Sequence, residues 1–563
     1  MVLSGRELRE REAFMKPWKH SRIGDLFFDV CKREGPKEAL VFGGRRMSYD
    51  ELLTRTLKVA SGLLKLGIGK DEKVGVLCPN IFEWPLAELS CGLIGAVCVP
   101  VNMLHRLVEL EYTLKQSDIS TLIMIDRFLN ADFLSMIYEI CPEFKDGKAG
   151  ELRSEKLPLL RNIITLTHPP WKGMFSFKDL EDNLGSNGPD DKELRERMDS
   201  ISSDDLFIIQ YTSGTTAFPK GVMLHHEAVI SNSYWFLRRV GINSCDRIFS
   251  VMPFYHVGGS ASSLIGTLNF GATLYMTQRF DAKEAMEIIQ QERCTAMFGL
   301  DTMYLMMLGH PDYEKYDLSS LKKGFSSGNP EALKKIATTM GIEGLTNLYG
   351  LSECGSNATV GDKEDTLERR CTSNGRPHPG MEIKIVDPQT RQTLPPKTPG
   401  EIAIRGFSVM KGYYKKPKET QEVLDVDGWL YTGDLGRLDP ERYLQFLGRI
   451  KDAYRVGGEN VSALEVEGFF MQHPKVLRAC AIGVSDDRLI EVGMVFIDLK
   501  PGETATEQEM IDYCKGRIAP FKVPRYVRFT HDFPMTGSGK IQKFLLKEKA
   551  LLELGLESPK QNF

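Results

Sequence analysis

Residues 206–223 read LFIIQYTSGTTAFPKGVM, an apolar run over 206–211 that opens into small hydroxyl and glycine residues and then into Pro219, Lys220 and Gly221. The run predicts a buried strand, and the amphipathic stretch after Gly221 predicts a helix. Between them, Thr212, Ser213, Gly214, Thr215 and Thr216 offer backbone N–H groups and hydroxyls that can converge on phosphate oxygens, while Lys220 adds a point charge. The Walker spacing is absent, since Pro219 and Lys220 follow Gly214 and Gly221 stands where Ser or Thr would be. Taken alone, such a loop is as readily an ordinary turn as a phosphate cradle.

Outward from this loop the same alternation recurs. Short β-branched runs at 74–78, 97–101, 247–252, 272–276, 295–298 and 344–349 are separated by helical stretches, which predicts largely parallel sheets. The fold class expected is α/β: a large N-terminal domain of two parallel-sheet halves plus a small β-rich subdomain after Gly380, followed by a small α+β C-terminal domain. The expected boundaries are 1–449, a hinge at 450–453, and a mobile domain over 454–563. Residues 141–203, rich in Lys, Glu, Gly and Pro, read as an exposed, irregular connection between the two halves.

Composition narrows the class. The 563 residues exceed what one core supports, and 42% hydrophobic with 26% charged residues is an ordinary globular balance. A net charge of −4 with scattered Lys and Arg argues against nucleic-acid binding. The eleven cysteines contain no C-x-x-C pair, which disfavours zinc and disulfide frameworks and suits a cytoplasmic protein. The most apolar stretch, 89–101, is too short to span a bilayer, so no transmembrane segment is expected. His225 and His226 are neighbours on a helix and cannot share one metal.

Four further segments follow in order: Tyr349-Gly350-Leu351-Ser352-Glu353; Tyr431-Thr432-Gly433-Asp434; Gly448-Arg449-Ile450-Lys451-Asp452 with Gly457 and Gly458; and Pro534 to Ile541 around Lys540. Together with the 212–221 loop they resemble the signature motifs of the adenylate-forming superfamily, which holds acyl-CoA synthetases, peptide-synthetase adenylation domains and luciferases. The resemblance is nearest to AMP-forming fatty and carboxylic acid-CoA ligases, departing at Ala217 and at Ser327, where glycine is usual.

The resemblance implies that Tyr349 stacks on adenine, that Ser352 contacts the α-phosphate and that Glu353 holds Mg²⁺. Asp434 and Arg449 would bind the ribose, Gly328 would line the adenine and acyl pocket, and Lys451 would be the pivot. Gly458 would line the coenzyme A tunnel, and Lys540 would bridge the substrate carboxylate and the AMP phosphate. His256, at the head of an expected acyl-pocket helix, would gate or orient. The implied reaction consumes ATP and a carboxylate, forms acyl-AMP, and passes the acyl group to coenzyme A, with Thr212 to Lys220 on the β- and γ-phosphates. Lys540, Glu353, His256 and Lys220 are the catalytic candidates.

Residues 258–261, Gly328 and the run Met303 to Met307 suggest an apolar, adaptable pocket and hence a medium-chain, longer or cyclic acid. An aromatic acid and an acyl-AMP ligase serving a carrier protein are the alternatives. An amino-acid adenylation domain is disfavoured because Tyr255, His256 and Val257 provide no acid to pair an amine. A non-catalytic AMP sensor sits poorly with Glu353, Asp434, Arg449 and Lys540 together. Partner expectations are the small substrates, a homodimer, and a lysine acetyltransferase acting on Lys540.

Overall fold

The computed structural model describes residues 17–151, 153–184, 192–212, 219–328, 330–456, 459–486, 488–535 and 541–556. Two seven-stranded sheets form the body. In one, strands run Gly344–Thr346, Lys323–Phe325, Ala296–Phe298, Arg247–Ser250, Thr273–Met276, Glu38–Phe42 and Arg45–Ser48, all parallel but for the last pair. In the other the order is Lys220–His225, Leu206–Thr212, Val97–Pro100, Lys73–Leu77, Ile119–Met124, Asn162–Thr165 and Phe175–Ser176, parallel except for the first pair. Parallel sheets need cover on both faces. The helix Glu83–Ile94 supplies some of it and is buried all round except at Glu83, Glu88 and Ser90 included. It ends at Gly95, whose φ of 72° lies in the left-handed region glycine tolerates.

The helix expected after Gly221 begins only at His226, since 220–225 form a strand, and two further expectations are corrected. The 141–203 segment is not merely a connection, because Asn162–Thr165 is a fully buried strand paired to Ile119–Met124, and the helix Lys192–Asp199 packs on Glu83–Ile94. The strand is only four residues long and begins and ends on polar Asn162 and Thr165, which leaves no period to read. The expected strand 344–349 is two strands in two sheets. Asn347 divides them, its carbonyl accepting Gly361 N–H and its own Oδ1 accepting Leu348 N–H at 2.8 Å.

After that break come a three-stranded antiparallel sheet (Leu348–Tyr349, Thr359–Val360, Arg376–Pro377) and a four-stranded one (Met381–Val386, Gly400–Gly406, Leu430–Leu438, Leu444–Arg449). The β-rich part thus begins earlier than Gly380. A 3₁₀ turn, Ile450–Asp452, follows Arg449 directly. Beyond it a five-stranded sheet with its own apolar cluster, including Val466, Phe470, Val495 and Val527, is flanked by the helices Ala463–Met471, Glu507–Cys514 and Lys543–Leu554. No helix among the described residues is long and apolar enough to cross a membrane.

His225 and His226 serve the fold. His225 Nδ1 accepts Ala228 N–H at the N-terminus of the helix His226–Val240. His226 is fully buried against Phe207, and burial lowers its pKa to about 3.

Candidate active site

The strands Leu206–Thr212 and Lys220–His225 pair antiparallel with Thr212 opposite Lys220, so both ends of the predicted phosphate loop are clamped by one ladder. Ser213, Gly214, Thr215 and Thr216 lie outside the described residues, as do Gly458 and Lys540. Gln210, in the first strand, donates through Nε2 to the Tyr255 carbonyl at 2.9 Å, tying the loop's root to the segment that carries His256.

His256 precedes a buried helix of π type, Gly258–Ile265, and its Nδ1 accepts Gly258 N–H at 3.1 Å. A Cβ at Gly259 would stand 2.2 Å from the Pro253 carbonyl oxygen, so that glycine permits close backbone packing rather than opening a pocket. The Met303 to Met307 run divides likewise. Tyr304 and Met307 are core, Tyr304 donating to the carbonyls of Met297 and Phe325, and Met306 is exposed. Only Met303 and Leu305 stay half-buried at the edge of the cluster.

Tyr349 and Glu353 flank a tight turn. Gly350 is required in it, since a Cβ there would sit 1.9 Å from the Ser356 carbonyl oxygen. Ser352 and Glu353 lie in the 3₁₀ turn Ser352–Cys354, whose carbonyl edge is held by Asn232: Nδ2 donates to the carbonyls of Cys354 and Asn357. Ser262 Oγ, from the π-type helix, bonds Ser356 Oγ at 2.8 Å. The turn bearing Glu353 and the helix headed by His256 are therefore one hydrogen-bonded unit.

Glu353 Oε1 accepts the Tyr413 hydroxyl at 2.8 Å, and the Lys220 ammonium lies 5.0 Å from the centre of the same ring. Glu353 has no other side-chain partner among the described residues. No group of three or more His, Cys, Asp or Glu arranged to hold a metal occurs among them either. One carboxylate with an uncommitted oxygen suits Mg²⁺, which retains water and takes its remaining ligands from phosphates.

Asp434 is positioned by a bulge. Glu401 pairs with Leu435 and Ala403 with Tyr431, leaving Thr432, Gly433 and Asp434 opposite Ile402 alone, with Gly433 at φ 68°. The carboxylate is buried, accepts the Tyr349 hydroxyl at 2.8 Å, and faces its ladder partner Arg449, whose Nε is 3.5 Å away. Burial and the neighbouring Asp434 charge push the Tyr349 phenol well above its ordinary pKa, so it stays a donor. One face of its ring stacks on Phe446 at 5.4 Å and 28°.

Gly328 follows the strand Lys323–Phe325, and a Cβ there would be 2.2 Å from Asp301 Oδ2. Burial raises the Asp301 carboxyl to about 6. Tyr413, Asn232, Gln210, Phe446 and Asp301 escape the sequence reading, because each acquires its role from a partner distant in sequence.

Residues 27–414 match the family model of AMP-binding enzymes, and residues 465–540 match that of the AMP-binding enzyme C-terminal domain. The chain is 38% identical to YngI of Bacillus subtilis (strain 168), provisionally named an acyl-CoA synthetase, over 96% of this chain and 99% of that one. It is 35% identical to the mitochondrial medium-chain acyl-CoA ligase ACSF2 of Danio rerio, over 96% and 90%. Among solved structures, the anthranilate CoA ligase AuaEII in complex with anthranoyl-AMP superposes with a TM-score of 0.82 at 26% identity, covering 95% of this chain and 98% of that one.

Proposed function

The chain belongs to the AMP-binding enzymes, as an AMP-forming acyl-CoA ligase, and on that premise we propose that it activates a medium-chain, long-chain or cyclic carboxylate. In the first half-reaction the carboxylate attacks the α-phosphorus of ATP, pyrophosphate leaves and acyl-AMP forms. In the second the coenzyme A thiolate attacks the acyl carbonyl and AMP leaves.

The observation that carries the residue assignment is the buried Asp434 with Tyr349 and Arg449 about it: a pre-built acceptor for ribose hydroxyls beside an aromatic ring. Lys220 and the 212–216 loop hold the phosphates, Ser352 approaches the α-phosphate, and Glu353 is the carboxylate that would hold Mg²⁺. That ion would offset negative charge on the phosphates when bound. Lys540 draws the two anions of the first step together, and His256 orients the acid. Gly328 lines the pocket, and Gly458 enters the coenzyme A passage after the 454–563 domain turns about residues 450–453.

Half-buried Met303 and Leu305 and the vertebrate relatives named for medium-chain acids support the chain length. The anthranilate ligase favours an aromatic acid as the second reading. AMP release over acetate, hexanoate, octanoate, dodecanoate, cyclohexanecarboxylate and anthranilate, with and without coenzyme A, tests both. Equal kcat/KM on acetate and octanoate would sink the pocket reading, and AMP release indifferent to coenzyme A would favour a carrier-protein acceptor. Cytoplasmic residence, a homodimer and acetylation of Lys540 complete the proposal; fractionation, sedimentation and intact mass after acetyltransferase treatment read them.

A further inference from the structure

Residues 410–414 form a strap across the site. Its start is fixed to the Glu353 turn, Met410 N–H donating to the Glu353 carbonyl at 2.8 Å. Its middle joins the edge of the strand Lys220–His225: Lys411 N–H donates to the Met223 carbonyl, Met223 N–H to the Gly412 carbonyl, and Tyr414 N–H to the Gly221 carbonyl at 2.8 Å. Thr420 Oγ1 accepts Tyr413 N–H at 2.9 Å, and Gly412 bends the chain at φ 133° with no room for a side chain beside Thr420. A short segment thus bonds through its backbone to both Glu353 and the Lys220 strand, and between them it presents one side chain.

That side chain is Tyr413, only 7% exposed. Its hydroxyl donates to Glu353 Oε1 at 2.8 Å and its ring face lies 5.0 Å from Lys220 Nζ. We infer that Tyr413 is a positioning residue that sets the Glu353 carboxylate for the metal ion and the Lys220 ammonium for the nucleotide phosphates, as one rigid unit. This rests on the reading of Glu353 and Lys220 given above. The phenol takes one carboxylate oxygen, the other has no partner among the described residues, and Glu353 so held would present it to Mg²⁺ with its plane fixed, as partners behind a metal ligand do. The ring attracts the ammonium without neutralising it, as a carboxylate partner would.

The test measures nucleotide binding by calorimetry, not turnover, in the full chain. Wild type, Tyr413→Phe, Tyr413→Leu and Glu353→Gln are each titrated with ATP in EDTA and over a range of free Mg²⁺. Tyr413→Phe removes one oxygen and keeps the ring, so ATP binding in EDTA should be unchanged while the Mg²⁺ needed for half-maximal enhancement rises about tenfold. Tyr413→Leu also removes the ring and should weaken ATP binding in EDTA. A Mg²⁺ titration of Tyr413→Phe that overlays wild type while Glu353→Gln shifts would overturn the inference and leave the Glu353 reading intact. If Glu353→Gln shifts nothing, the Glu353 reading fails and this inference with it. Loss of ATP binding in EDTA by Tyr413→Phe would assign the hydroxyl to the fold alone, and unaltered binding by Tyr413→Leu would remove the role of the ring.

Discussion

Glu88 lies fully buried in the helix Glu83–Ile94, which packs on the strands Lys73–Leu77 and Val97–Pro100. Its Oε2 accepts the Trp84 indole N–H at 3.0 Å, while Oε1 has no partner among the described residues. Burial raises its pKa from 4.5 to about 8, against the smaller opposing effect of the indole bond. Between those values the folded protein holds a proton the unfolded chain has lost, so stability falls as pH rises, by about 1.4 kcal/mol per pH unit. The loss is complete once the folded carboxyl also ionises, near pH 8, and amounts to several kcal/mol. In Glu88→Gln the amide keeps the indole acceptor and never ionises, though its NH₂ gains no partner, an offset of about 1–3 kcal/mol present at every pH. Urea unfolding of both proteins from pH 5 to 8.5 should give a difference that swings toward the variant with that slope. Groups common to both, including His226, cancel in the difference. Trp84 fluorescence should titrate near pH 8 in wild type alone. Parallel stability profiles would refute the reasoning.

The site makes its own predictions. Tyr349→Phe removes a hydrogen bond to a buried carboxylate, worth about 1.5–3 kcal/mol, so KM for ATP should rise about ten- to a hundredfold with KM for the acid unchanged; equal rises in both would mean general damage. Lys540→Ala should slow acyl-AMP formation by about a hundredfold or more yet leave conversion of supplied acyl-AMP to acyl-CoA nearly intact, and equal loss in the two half-reactions would exclude the bridging role. Gly328→Ala must displace the Asp301 carboxylate, 2.2 Å from the added Cβ, and should move kcat/KM toward shorter acids; an unchanged hexanoate-to-dodecanoate ratio would place Gly328 outside the acyl pocket.

Much of the fold is legible because strands of a parallel sheet are buried on both faces, so 97–101 reads as an unbroken apolar run and 206–211 as one interrupted only at Gln210. Asn162–Thr165 is equally buried but only four residues long, with polar Asn162 and Thr165 at its ends and Arg161 before it, so no period emerges. Asn347 looks like a polar residue tolerated within a strand, whereas its side chain and carbonyl both leave the ladder and turn the chain into a new sheet. At the site, Asp434 and Tyr349 are legible as motif positions, but not the bond between them, which needs the Thr432–Asp434 bulge to point the carboxylate inward. Tyr413 is less legible still. Gly412-Tyr413-Tyr414 has the texture of a loop, and only the strap's pairing with a strand about 190 residues earlier gives it a place.

The geometry after Asp434 bears on the proposed rotation. Arg449 ends the last strand of the four-stranded sheet, paired with Asp434, and the 3₁₀ turn Ile450–Asp452 begins at the next residue. Displacement in a rotation grows with distance from the axis, so a ribose contact next to the pivot holds while groups far along the C-terminal domain travel. Ile450 is where this can be tested most cleanly. Arg449 is extended, at φ −87° and ψ 141°, the conformation a residue before proline prefers. The first position of the turn suits proline's fixed φ. Ile450→Pro should therefore be accepted in the conformation seen here and oppose any that changes φ at 450. One half-reaction, measured as acid-dependent pyrophosphate exchange or as acyl-CoA formation from supplied acyl-AMP, should survive and the other fall about tenfold or more. If the two survive or fall together, the chain does not pivot there.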